Sequence, residues 1–144
     1  MIYKKILIAV DSSECSMRAA KKGLALAHQV NAVAGLIFVI DITKAMGNPD
    51  AGTTRNDAEL ILKKEAEQTL DQLAAMYNGN ELRKFMPEGH PVKEIIETAR
   101  VWDADLIVMG THGYKGLRHL FMGSTAEEVI RHAHLPVMVV PPKS

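Results

Sequence analysis

The chain has 144 residues, the size of one domain, with the ordinary globular composition of 47% hydrophobic and 24% charged residues. Seventeen basic residues balance seventeen acidic ones, so bulk charge recruits neither nucleic acid nor an anionic membrane surface. No stretch approaches the ~18 apolar residues of a spanning helix. Cys15 is the only cysteine, which excludes an intrachain disulfide, and Met-Ile-Tyr-Lys-Lys at the amino end does not read as a signal peptide. The expectation is a cytoplasmic protein with no membrane and no nucleic-acid partner.

Lys4–Val10 is an apolar run closed by Asp11 and Ser12, the pattern of a strand buried on both faces. Ser13–Val30 follows with Ala20, Leu24 and Ala27 at helical spacing. Asp11-Ser12-Ser13-Glu14 fits a capping box, with Asp11 as N-cap and Glu14 reaching back. Gly35–Ile40 is a second buried strand, closed by Asp41. Residues 42–57 hold glycines and Asn48-Pro49-Asp50 and read as a loop.

From about Asp57, residues Leu62, Ala66, Leu70, Leu73 and Tyr77 form one helix face, ended by Asn78-Gly79-Asn80. Leu82–Met86 is a short strand. Gly89-His90-Pro91 opens a helix with proline in its first turn and Val92, Ile95, Ile96 and Ala99 facing inward. Leu106–Met109 is a strand, Ser124–Ala133 a helix and Pro136–Val140 the last strand. No repeat, low-complexity tract or linker divides residues 1–144, which read as a single domain.

The order β-α-β-α-β-α-β-α-β predicts an α/β fold: an open five-stranded parallel sheet with helices on both faces. With strand order 3-2-1-4-5, the first and fourth strands are neighbours where the order reverses. Ligands of such sheets bind beyond the carboxyl ends of the strands at that reversal. Asp11 and the loop after Met109 then face one crevice.

That loop is glycine-punctuated and positive. Gly110, Gly113 and Gly116 recur at three-residue intervals, His112, Lys115, Arg118 and His119 lie between the strand and the next helix, and Gly123-Ser124 opens that helix. Glycine lets backbone N–H groups approach an anion closely, and the first amides of a helix have no internal partner. A phosphate suits such a place, with Ser124 and Thr125 adding hydroxyl donors. Ser124 as a plain N-cap is the structural alternative. Neither a Walker loop nor a dinucleotide fingerprint is present, and no histidine or cysteine spacing suggests a metal site.

Gly110-x2-Gly113-x9-Gly123-Ser124 resembles the G-x2-G-x9-G-[S/T] signature of the ATP-binding branch of the universal stress proteins. The resemblance spans the chain, through "YKKILIAVDSSECSMRAA", "FVID", "ADLIVMGTHG" and "HLPVMVV". It implies the Rossmann-like sheet of the adenine nucleotide α-hydrolase architecture, with an adenine nucleotide across the strand ends. Asp11 would then meet the adenosine part, and Val39 would offer backbone groups to adenine. Met109 and Gly110 would lie near the ribose, and Gly113, Gly123, Ser124 and Thr125 would hold phosphates. The implied ligand is ATP, with Mg2+ or Mn2+ carried by its phosphates rather than by a protein site.

The expected function is a nucleotide-dependent regulatory or stress-response protein with weak or no ATP hydrolysis, because Met109–Thr125 holds no carboxylate or glutamine to orient water. A slow ATPase or α-phosphate-cleaving enzyme is the first alternative, although "AVDSSECS" lacks the Ser-Gly-Gly-x-Asp-Ser loop of such enzymes. An interaction module with a vestigial site is the second. In the order 3-2-1-4-5 the last strand is an edge, and Leu135–Pro142 carries no charge to discourage pairing. Members of the family commonly dimerise there, so a homodimer through Val137–Val140 is expected.

Overall fold

A computed structural model describes residues 3–44, 50, 52, 54–111 and 123–143. Five strands, β1 (Lys5–Ala9), β2 (Val33–Ile37), β3 (Leu82–Phe85), β4 (Leu106–Gly110) and β5 (Val137–Val140), form one sheet. All pairings are parallel and the order is β3-β2-β1-β4-β5. The predicted fold class and strand order are both correct; crossovers of one hand give the parallel sheet, and the order is the one the family resemblance implies.

Four helices connect the strands: α1 (Glu14–Gln29), α2 (Arg55–Ala75), α3 (Pro91–Trp102) and α4 (Ser124–His132). Ile6, Ile8 and Val10 pack on one side of the sheet with Ala20, Leu24 and Ala27 of α1 and Ala66, Leu70 and Leu73 of α2. Leu7, Ala9, Ile107 and Met109 pack on the other with Val92, Ile95 and Ala99 of α3 and Ala126 and Val129 of α4. Alternate residues of one strand thus feed two cores, which is why β1 reads as an unbroken apolar run rather than an alternating one.

Several boundaries differ from the sequence reading. β2 begins two residues earlier, because Val33 already donates to the Lys4 carbonyl at 2.8 Å. The ladder to the β3 side runs on past β2, with Phe38 donating to Phe85 and Ile40 to Pro87. A short 3-10 turn, Ile42–Lys44, follows. α2 starts before Asp57: Thr54 is its N-cap, in a capping box with Asp57. α3 begins with Pro91 as predicted, and Asp103 closes it in the left-handed region, φ 64°.

The helix start after β1 is a correction. Ser13, not Asp11, is the N-cap of α1 and accepts from the Ser16 amide at 3.2 Å. Asp11 accepts through Oδ1 from the Ser13 amide at 2.7 Å, and its own amide donates to Ser16 Oγ at 2.6 Å. The chain makes an Asx turn before the helix, so Glu14 falls at the first helical position and not where a capping box needs it.

At the opposite pole, Trp102 locks α3 onto the sheet. A Cβ on Gly35 would lie 2.7 Å from the Trp102 ring, so only glycine admits it. Phe85 meets the indole edge-on at 5.4 Å between ring centres, and the Lys5 ammonium lies 5.7 Å from the indole centre. Among the described residues no helix is long and apolar enough to cross a membrane.

Candidate functional site

β1 and β4 are neighbours, and beyond them the connections leave to opposite faces of the sheet. That divergence opens a crevice at the carboxyl ends, the place where parallel sheets hold ligands. Three groups of polar atoms border it.

The first is backbone. Along β2 the even-numbered residues bond toward β3 and the odd ones toward β1, as Val33 does to Lys4 and Ile37 to Val10. Val39 continues the odd series, but β1 has already turned away at Asp11. Its N–H and C=O are therefore aimed past the end of β1, with no hydrogen-bond partner among the described residues. Val39 itself is half-buried.

The second is Asp11, half-buried where β1 turns into α1. One carboxylate oxygen is engaged by the Ser13 amide. Asp41, at the end of the β2 segment, is also engaged, accepting from the Thr43 amide at 3.1 Å and its hydroxyl at 2.5 Å.

The third is the start of α4. Thr111 donates to Val140 at 3.1 Å, and Gly123 donates back to the Thr111 carbonyl at 2.6 Å, so the helix begins beside the end of β4. Gly123 is the N-cap and supplies no side-chain cap. The first intrahelical bond is Glu127 to Gly123, which leaves the amides of Ser124, Thr125 and Ala126 without partners among the described residues. An uncapped helix start next to a switch point attracts an anion through its amides and its dipole. Ser124 is thus the first helical residue and not the N-cap.

The remaining predicted residues fall as follows. Met109 is 5% exposed, and its side chain fills the α3–α4 core, so only its backbone can face the crevice. Gly110 ends β4, and a Cβ there would lie 2.9 Å from Cys15 Sγ and 3.2 Å from the Cys15 carbonyl oxygen. Its glycine is required by the start of α1, a packing reason absent from the spacing argument. Gly123 has φ −66°, open to any residue, so its backbone angles do not demand glycine. Gly113, Gly116, Lys115, Arg118, His112 and His119 lie outside the described residues.

Sequence reasoning missed Cys15 and Ser16. Ser16 is 4% exposed and ties down the Asp11 amide. A serine three residues after a capping serine was its only signal. Among the described residues no group of three or more His, Cys, Asp or Glu could hold a metal ion.

Residues 2–141 match the model of the universal stress protein family. Universal stress protein MJ0531 of Methanocaldococcus jannaschii is 41% identical over 141 residues, covering 96% of this chain and 82% of that protein. The solved structure of MJ0577 from the same organism superimposes with a TM-score of 0.85 at 29% identity, covering 100% of this chain and 99% of that one. A universal stress protein from Archaeoglobus fulgidus, solved in complex with dAMP, shares the fold at TM-score 0.66 and 23% identity, over 96% and 98% of the two chains. Sheet order, strand-end crevice and a match across nearly the whole chain agree: this chain belongs to the universal stress protein family.

Proposed function

We propose that the crevice binds an adenine nucleotide, ATP above all, and that the protein is a nucleotide-dependent regulator rather than an efficient enzyme. The observation that carries this reading is the start of α4 beside the end of β4, where three amides have no partner among the described residues and the hydroxyls of Ser124 and Thr125 lie in the same turn. Triphosphate oxygens meet that need for acceptors. Val39 supports the choice of base, since an N–H and a C=O side by side present a donor and an acceptor to one edge of a purine. Asp11 retains an acceptor for the sugar or base, and Gly110 and the Met109 backbone border the same opening. Gly123 spends its own N–H on Thr111, so its part is to let the chain pass close to the phosphates. Gly113 completes the signature from the loop. The dAMP complex of the Archaeoglobus fulgidus protein is an adenine nucleotide on the same fold.

Weak turnover follows from the phosphate side of the crevice: Met109–Thr125 carries no carboxylate or glutamine to orient an attacking water. A divalent cation, Mg2+ or Mn2+, arrives on the phosphates. On this reading the protein acts in the cytoplasm as a homodimer paired through β5.

Calorimetric titration with ATP, GTP and inorganic triphosphate, paired with a phosphate-release assay, tests the reading. ATP should bind most tightly, with phosphate release far slower than the 1–100 s⁻¹ of typical kinases. Equal affinity for ATP and inorganic triphosphate would remove adenosine recognition, and no binding of either would remove the site.

A further inference from the structure

The outer face of α2 carries an arrangement that neither the core nor the crevice uses. The buried stripe of this helix is Ala66, Thr69, Leu70 and Leu73. Leu60 and Ile61 lie on the opposite stripe and are 62% and 61% exposed, where an amphipathic helix carries polar residues. With Asp57 and Lys64 they line a shallow concavity of about 400 Å³.

These four residues stand at i, i+3, i+4 and i+7, one stripe of the helix surface. Their order is acid, apolar, apolar, base, and it is symmetric about the point between Leu60 and Ile61. A second α2 laid antiparallel across that point sets Leu60 against the partner's Ile61, and Asp57 against the partner's Lys64. A two-fold axis makes each contact twice. Both charges are available for it. Lys64 forms no ion pair among the described residues, while its neighbour Lys63 is bonded to Glu88 at 3.0 Å. Asp57 is bonded only to Thr54 among the described residues, and its carboxylate stays exposed.

We propose that this stripe is a homotypic docking face that seats the α2 of a second copy of the chain, antiparallel across the Leu60–Ile61 midpoint. Charge order selects the occupant: a parallel pair would set Asp57 against Asp57 and Lys64 against Lys64. α2 leads into β3, at the opposite edge of the sheet from β5, so this contact does not compete with pairing along β5. Four residues a side fall well short of the ~1,000 Å² of a stable interface, so the association is transient and suited to trapping.

The test is cross-linking of the full chain. Ile61→Cys places a thiol beside the two-fold, and a short bis-maleimide should trap a covalent dimer several-fold faster than for Val101→Cys, a control that is 70% exposed on α3. Cys15 is common to both chains and cancels in the comparison. Adding Lys64→Glu to the Ile61→Cys chain should slow trapping several-fold by setting two carboxylates face to face, with circular dichroism confirming an unchanged helix content. Equal trapping of the Ile61→Cys and Val101→Cys chains, or indifference to Lys64→Glu, overturns the proposal.

Discussion

Gly110 shows how one residue can satisfy a motif for more than one reason. The space a Cβ would need is taken by the sulfur and carbonyl of Cys15. Gly110→Ala should therefore cost about 1–3 kcal/mol through overpacking, read as a lower denaturant midpoint. An unchanged midpoint would mean that the start of α1 yields easily. Ser124 separates the functional role from the structural one, because as an exposed first-turn residue it caps nothing. Ser124→Ala should leave stability unchanged and weaken ATP binding by about 1.5–3 kcal/mol, the range for a hydrogen bond to a charged group, measured by calorimetry. Asp11→Ala should lower both affinity and stability, since the Asx turn to Ser13 goes with it.

At the scale of the element, α2 depends on its first turn. Thr54 accepts from the Asp57 amide at 3.1 Å and Asp57 accepts from the Thr54 amide at 3.0 Å. Thr54→Ala should destabilise the fold by about 0.5–2 kcal/mol in thermal unfolding. The backbone hydrogen bond from Thr54, and then its side chain, hold the Asp57 carboxyl below the ordinary value of 3.8. A carboxyl lowered on folding adds stability that is full above its unfolded pKa and lost as pH falls through the folded one. Acid below about pH 4 should therefore loosen the amino end of α2. Glu97, lowered by its hydrogen bond from Arg100, acts in the same direction on α3. Stability of Asp57→Asn should depend less on pH in this window, and an identical acid profile would contradict the assignment.

Across the whole molecule, the two sheet edges are unequal. Ile107 of β4 donates to Pro136 just before β5, and Thr111 just past β4 donates to Val140, so the even-numbered residues bond toward β4 and the backbone groups of Val137 and Val139 are directed out of the sheet. Val137 and Val139 pack their side chains against the α3–α4 core, while Met138 is 41% exposed on the other face. An apolar edge strand with outward N–H groups and no charge is suited to pairing with another copy. Val139→Pro removes an N–H that serves no bond among the described residues, so the fold should survive while the proposed dimer dissociates. Light scattering at micromolar concentration checks this. A monomeric wild type, or a variant as dimeric as the wild type, would count against pairing at this edge.

The amino-acid pattern alone determined the alternation of five strands and four helices, and with it the α/β class; the order 3-2-1-4-5 came with the family resemblance. β1, β2 and β4, covered on both faces, read as unbroken apolar runs, whereas crossover hand alone admits more than one strand order. Glycine spacing and the helix start at Ser124 were equally visible, because both lie within a few residues of chain. Choices between near-equal local partners needed the tertiary structure. Asp11, Ser12 and Ser13 are all good caps, and only the point where β1 leaves the sheet selected Ser13. The same departure isolated the backbone of Val39, an apolar residue with nothing in its side chain to announce a site. Gly110 against Cys15 and Gly35 against Trp102 join residues distant in the chain, and no periodicity records a contact of that kind.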